Sequence, residues 1–163
     1  MTEAGGCTTQ SGIFYQNSVA GLWLGRLLDC SMRAARDRVV SIRVEAPEYV
    51  DDIVVQFADG HTEYHQVKEA LSRGEVWGKL WLHIGQQWSS GFRSADRIVL
   101  TIGKPSPITM DLYEACARAE GKIDELEWQK SLSKNQKSLV NEVFSVLVEN
   151  SAFHASKFEF FLG

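Results

Sequence analysis

YVDDIVVQFADGHTEYHQVKEA, from Tyr49 to Ala70, is the stretch on which the reading of this chain turns. Two apolar runs, DIVVQF and TEYHQVK, flank Ala58-Asp59-Gly60, and Asp59-Gly60 suits a tight connection with positive backbone angles. The stretch is therefore read as an antiparallel hairpin. Counting outward from the turn sets Asp52 opposite roughly Gln66 to Lys68, and alternation places Gln66 and Lys68 on one face with His65 and Val67 on the other. Asp51, Asp52, Gln66 and Lys68, all costly to desolvate, thus gather at the hairpin's open end.

Outward from the hairpin, RVVSIRVE (Arg38 to Glu45) alternates as a preceding strand that stops before Pro47, so the three strands form a meander and Glu45 reaches the same edge as Asp52. Before it, Gly12 to Cys30 carries Ile13, Tyr15 or Gln16, Val19, Ala20, Trp23, Leu24, Leu27 and Leu28 on one helical face, with Ser11 as its N-cap. After it, Val76, Leu80, Trp81, Ile84 and Trp88 mark a helix, with Trp77 beside them. DRIVLTIG (Asp96 to Gly103) has the continuous apolar run of a central or parallel strand buried on both faces. ITMDLYEACARA follows as a helix with Ile108, Leu112, Ala115 and Cys116 inward. Residues 119–136 read as loop with a short helical piece, and Asn135 to Val148 as a helix with Leu139, Val140, Val143, Phe144 and Leu147 inward and Lys134 and Lys137 in water. The closing KFEFFLG alternates Phe158, Phe160 and Leu162 as a strand. The expected class is α/β, a mixed central sheet flanked by helices.

Length and composition set the outer limits. At 163 residues the chain suits one domain at roughly 100–200 residues each, and the abrupt final strand suggests the N-terminal part of a longer protein. Hydrophobic residues at 44% and charged residues at 23% exclude disordered and fibrous classes. Seventeen Lys plus Arg against twenty-one Asp plus Glu give a net charge of -4, so any nucleic-acid role needs a local basic patch or clustering of several weak sites. Cys7, Cys30 and Cys116 lack metal-like spacing and form no disulfide framework; inert thiols in a reducing cytoplasm are expected. There is no signal peptide, no run of roughly 18 apolar residues, no phosphate-binding glycine loop and no nucleophile elbow, so neither a membrane nor a nucleotide is an expected partner.

The chemistry available at the open end is narrower. Hard divalent cations take oxygen ligands, and the Asp52 carboxylate, the Gln66 amide oxygen, the Val67 backbone carbonyl and Glu45 offer them, with Lys68 alongside to stabilise charge on a phosphate. The bland alternative is a solvated strand edge with an Asp52–Lys68 surface ion pair. His61, His65, His83 and His154 lack paired ligand spacing, and Trp77, Trp81 and Trp88 are better read as core than as a base-stacking platform. Arg73, Lys79, Arg93, Arg97 and Lys104 are either phosphate contacts at the rim of a site or a solvated face.

VDDIVVQFADGHTEYHQVK resembles the D…(D/E/Q)xK hairpin of the PD-(D/E)XK nuclease superfamily, in the glutamine-bearing form of Mrr-like restriction endonucleases. GIFYQNSVAGLWLGRLL followed by VEAPEYVDDIVVQF…YHQVK is similar to the N-terminal nuclease domains of bacterial anti-phage effectors, among them the CD-NTase-associated endonucleases of CBASS and nuclease-bearing STAND NTPases of the AVAST type. The resemblance spans roughly Gly12 to Gly103. It implies a restriction-endonuclease-like core and Mg2+- or Mn2+-dependent cleavage of double-stranded DNA in the cytoplasm, with homo-oligomerisation through regions outside this chain. It also implies Asp52 as metal-binding aspartate, Gln66 in the usual acidic position, Lys68 as catalytic lysine and Gln16 at a helix position where relatives place a glutamate. The glutamine at 66 removes a charge that Glu45 or Asp51 would have to replace, which keeps a noncatalytic binding or oligomerisation module, or an RNA-cutting enzyme, as alternatives.

Overall fold

A computed structural model describes residues 4–29, 31, 34–50, 52–150 and 161, with side chains from residue 10 to 149 and at 161. It is mixed α/β: α1 (Ala4–Leu28), β1 (Val39–Val44), β2 (Ile53–Phe57), β3 (Thr62–Ala70), α2 (Glu75–Ser89), β4 (Arg97–Lys104), α3 (Pro107–Ala119), α4 (Glu125–Ser131) and α5 (Lys134–Asn150). The chain divides into two compact units, Met1–Ala70 with Phe92–Lys104, and Leu71–Gly91 with Pro105–Gly163. Among the described residues no helix is long and apolar enough to cross a membrane.

The first unit places α1 on a four-stranded sheet of order β1-β2-β3-β4. β1, β2 and β3 pair antiparallel, and β3 pairs parallel with β4, so the sheet is mixed as expected. Alternation along β2 sends Ile53, Val55 and Phe57 to the face shared with Val67, where Val19 and Ala20 of α1 close a core completed by Val39, Tyr15, Trp23, Leu27 and Ile42. The turn is tighter on one residue than foreseen. Gly60 alone takes a positive φ, 92°, while Gly60 N–H donates to Phe57 O (2.9 Å) and Phe57 N–H to His61 O (3.0 Å). That is a three-residue loop with glycine in the left-handed position, so Asp59 keeps an ordinary φ and accepts from His61 N–H at 3.1 Å.

Several expectations need correction. Ser11 is not a cap: α1 begins seven residues earlier, and the Ser11 hydroxyl donates to Glu69 on β3. On α1, Ile13, Leu24 and Leu28 are exposed, because the helix packs with the 15/19/20/23/27 stripe rather than the wider face. β4 is an edge strand, only half-buried along its length, since a run of apolar residues cannot by itself tell an edge from a centre.

The second unit is helical. α2 buries Trp77, Leu80, Trp81 and Ile84, leaving Val76 56% exposed, one position round from the face expected. Ser106 and Thr109 form a reciprocal capping box at the start of α3, with Pro107 in the first turn. Leu112 and Ala115 of α3, Trp128 of α4 and Leu139, Val140, Val143 and Leu147 of α5 are buried. Trp128 settles its indole N–H on Ala115 O at 2.9 Å. In the last run, Phe158, Phe160 and Leu162 lie outside the described residues, whereas Phe161 is helical, not extended, and packs 5.5 Å from the Trp128 ring.

Candidate metal-assisted site at the end of the hairpin

Register builds the cluster. Ile53 faces His65 across β2 and β3, so the preceding Asp52 faces Gln66, and the pairing ends there. Asp52 Oδ2 accepts three hydrogen bonds: from the Gln66 side-chain amide, from Val67 N–H at 2.7 Å and from Lys68 Nζ at 3.0 Å. Gln66 is 4% exposed, and the Asp52 and Lys68 side chains are 15% and 28% exposed. The Val67 side chain points the other way into the core under α1, which pins the alternation and hence the placing of Gln66 and Lys68.

The main chain of Asp52 is fixed from two further directions. Its carbonyl accepts from Gln16 Nε2 on α1 (3.3 Å) and from Glu45 N–H at the end of β1 (3.2 Å). Glu45 sits at φ 49°, a left-handed conformation that terminates β1, and its side chain is exposed. Asp52, Gln66, Val67 and Lys68 are therefore brought together; Glu45 and Gln16 touch the site through the Asp52 carbonyl rather than its carboxylate. Asp51 lies outside the described residues.

The donor set suits a hard cation held mainly by its substrate and by water. Oδ1 of Asp52 takes no hydrogen bond among the described residues, and the Val67 carbonyl lies on the strand edge that its N–H already turns toward Asp52. Among the described residues no group of three His, Cys, Asp or Glu side chains is placed to hold a metal ion by itself. A cation here would thus rest on one carboxylate and neutral oxygens, which fits Mg2+, commonly held by one or two carboxylates plus phosphate. Since the Gln66 amide N–H2 now faces Asp52, its oxygen reaches a shared ion only after the amide turns over.

The basic residues expected at the rim are mostly committed elsewhere. In the first unit, Arg93 grips Asp96 through Nε (3.0 Å) and a terminal nitrogen (2.6 Å), and Lys104 pairs with Glu69 at 2.5 Å. Arg97 helps hold down the Glu63 carboxyl. In the second unit, Arg73 pairs with Glu142 at 2.9 Å and Lys79 with Glu75 at 2.5 Å. Their charges are locally offset, so phosphate contact there must compete with carboxylates.

Sequence reasoning put His65 on the opposite face of β3 but set it and His61 aside for want of paired ligand spacing. His61, Glu63 and His65 alternate onto it, a signal legible in HTEYH. His61 stacks on Phe57 (centroids 4.2 Å apart) with its Nδ1 2.5 Å from Asp59, and His65 Nε2 lies 3.1 Å from Glu63 Oε2. Burial pushes the Glu63 carboxyl up, but the His65 hydrogen bond and the charges of His65, His61 and Arg97 outweigh it, and the net shift is downward. His65 Nδ1, by contrast, is buried with no hydrogen-bond partner among the described residues.

No family model, curated protein or solved structure matches the chain.

Proposed function

We propose that this chain is a metal-dependent DNA endonuclease domain of the PD-(D/E)XK type, an effector module of bacterial anti-phage defence. The observation that carries the reading is the convergence of Gln66, Val67 N–H and Lys68 on one oxygen of Asp52, at the open end of a hairpin. It is supported by the order helix, three antiparallel strands, helix, strand, which the sequence periodicities led us to expect and which the mixed sheet contains. A desolvated carboxylate, amide and ammonium are costly to bring together, and a merely solvated edge does not require Gln66 to be 4% exposed.

Asp52, Gln66 and the Val67 carbonyl would hold Mg2+ or Mn2+. Such an ion supplies positive charge at the scissile phosphate and lowers the pKa of a coordinated water. Lys68, released from Asp52, places an ammonium beside the phosphate, offsets charge building on its non-bridging oxygens and orients the attacking water. The water oxygen bonds to phosphorus as the bond to one bridging oxygen breaks, and its protons end on the released alcohol and in solution, yielding a phosphomonoester and a hydroxyl. Gln16 and Glu45 hold the Asp52 carbonyl and so fix where its carboxylate stands.

A second reading, a noncatalytic nucleic-acid-binding or oligomerisation module, is favoured by the presence, among the described residues, of one carboxylate at the cluster and by the locally paired arginines and lysines. Supercoiled plasmid incubated with Mg2+, Mn2+ or EDTA separates the two. Nicking or linearisation that requires the metal and is lost in Asp52→Ala and Lys68→Ala supports the nuclease. Binding of DNA with neither cleavage nor Mn2+ uptake supports the module.

A further inference from the structure

α1 packs over β1 and β3 but leaves the same face of β4 partly uncovered, and a groove of about 610 Å³ runs there. Leu22, Trp23 and Arg26 of α1 form one wall, Val99 and Thr101 of β4 the other, and His65 lies at the floor. Register explains the composition: Val99 pairs with His65 and Thr101 with Val67, so both β4 side chains stand on the face turned to α1. The volume lies in the range of about 300–1,000 Å³ usual for pockets that hold small organic molecules.

The charges at the mouth are unequal. Asp29 Oδ1 is turned back to its own loop, where it accepts from Ser31 N–H at 2.9 Å. The Arg26 guanidinium lies over the Trp23 ring, 4.8 Å from its centroid, and has no carboxylate partner among the described residues. Elsewhere in this unit Arg43, Lys68, Arg93 and Lys104 each have one, and Arg97 at the start of β4 acts on Glu63 through its charge. At the floor, His65 is 3% exposed, stands edge-on to Trp23 at 5.0 Å, and carries the unpaired buried Nδ1. An apolar slot with one uncommitted cation at its mouth is complementary to a molecule with an apolar body and an anionic end.

We propose that this groove binds a small amphipathic organic anion, with its apolar body between Leu22, Trp23 and Val99 and its charged group on Arg26. The site is separate from the Asp52 cluster, on the opposite face of β3, and does not depend on the nuclease reading.

The probe is 1-anilinonaphthalene-8-sulfonate, followed by its fluorescence on the folded protein. Saturable one-to-one binding is expected, with displacement by decanoate at a concentration at least about tenfold below that needed of decanol, since only the former carries the charge. Arg26→Gln weakens the probe about tenfold or more. Leu22→Trp fills the groove from a position 73% exposed on the helix, so the fold tolerates it while binding is lost. Arg36→Gln, an exposed charge away from the groove, leaves binding unchanged. Absence of saturable binding up to about 1 mM, equal displacement by decanoate and decanol, or parent-like binding by either Arg26→Gln or Leu22→Trp in protein with parent circular dichroism overturns the proposal.

Discussion

Replacing Asp52 separates a catalytic cluster from a structural staple, because the two predict different orders of stability and activity. In Asp52→Ala the donors that met on Oδ2 lose their acceptor. Lys68 is 28% exposed and turns to water, but the Val67 N–H and the Gln66 amide belong to residues 5% and 4% exposed. Each buried donor left unpaired costs about 1–3 kcal/mol, and some water enters the space vacated, so the expected loss is about 2–4 kcal/mol. Asp52→Asn keeps a carbonyl for Val67 N–H and loses about 1 kcal/mol. Lys68→Met removes a partly exposed ion pair and keeps the aliphatic length, so it costs under about 1 kcal/mol. Urea unfolding followed by tryptophan fluorescence should place the Asp52→Ala midpoint about 1–2 M below the parent at ordinary slopes. Plasmid cleavage with Mn2+ should be abolished in all three. Stability within about 0.5 kcal/mol of the parent in Asp52→Ala would mean that the donors do not depend on the carboxylate, and parent-rate cleavage by Lys68→Met would remove the lysine from the chemistry.

Gln66→Glu places a second carboxylate against Asp52 in a site 4% exposed, so it should lower stability in EDTA and recover it in Mn2+, with Mn2+ affinity raised about tenfold by calorimetry. Asp96, 2% exposed, accepts from Thr62 N–H and Arg93 N–H; burial raises its carboxyl, but the bonds from Arg93 and Thr62 outweigh this and hold it below the usual carboxylate range. A carboxyl with a depressed folded pKa stabilises above its unfolded value, about 3.9, and that contribution is lost as pH falls through the lower folded value. Acid titration of stability should therefore flatten below about pH 4 in Asp96→Ala, which also loses about 1–3 kcal/mol at neutral pH through the unpaired Thr62 N–H; a variant with the parent's acid profile would contradict this. Cys116 is pushed up to about 11 by burial, so iodoacetamide at pH 8 should spare it until the protein is unfolded, as peptide mass mapping would show.

What the sequence made legible follows its short-range periodicities. The period-two alternation of IVVQF and TEYHQV and the glycine of the turn fix a register, and the register alone places Asp52 opposite Gln66. The apolar run of DRIVLTIG led to a central or parallel strand, and β4 is parallel to β3 but stands at the edge, since the run does not say which neighbours a strand takes. Helix limits were less legible. AGGCTTQSG carries no apolar period to mark it as helix, and the contact that Ser11 makes there, with Glu69 on β3, is a tertiary event. In α2, Val76 and Trp77 are adjacent apolar residues that a 3.6-residue period cannot order, and the larger ring takes the buried place.

The same distinction divides the two faces of β3. On one face, chemistry-bearing residues lie close in sequence, and alternation about a turn suffices to assemble Asp52, Gln66 and Lys68. On the other, Arg26, His65 and Thr101 come from three elements, and only the packing of α1 across β1 and β3, which leaves β4 partly uncovered, creates a groove among them. Gln16 shows both limits at once: its place on the inward side of α1 was readable, but the direction of its amide was not, and that direction makes it a holder of the Asp52 carbonyl rather than a ligand. Side chains two apart on a strand share a face by covalent geometry, whereas side chains on different elements meet only after the core has chosen its packing. A hairpin end is for that reason where a sequence most readily discloses a site, and a groove behind the same strand is where it discloses least.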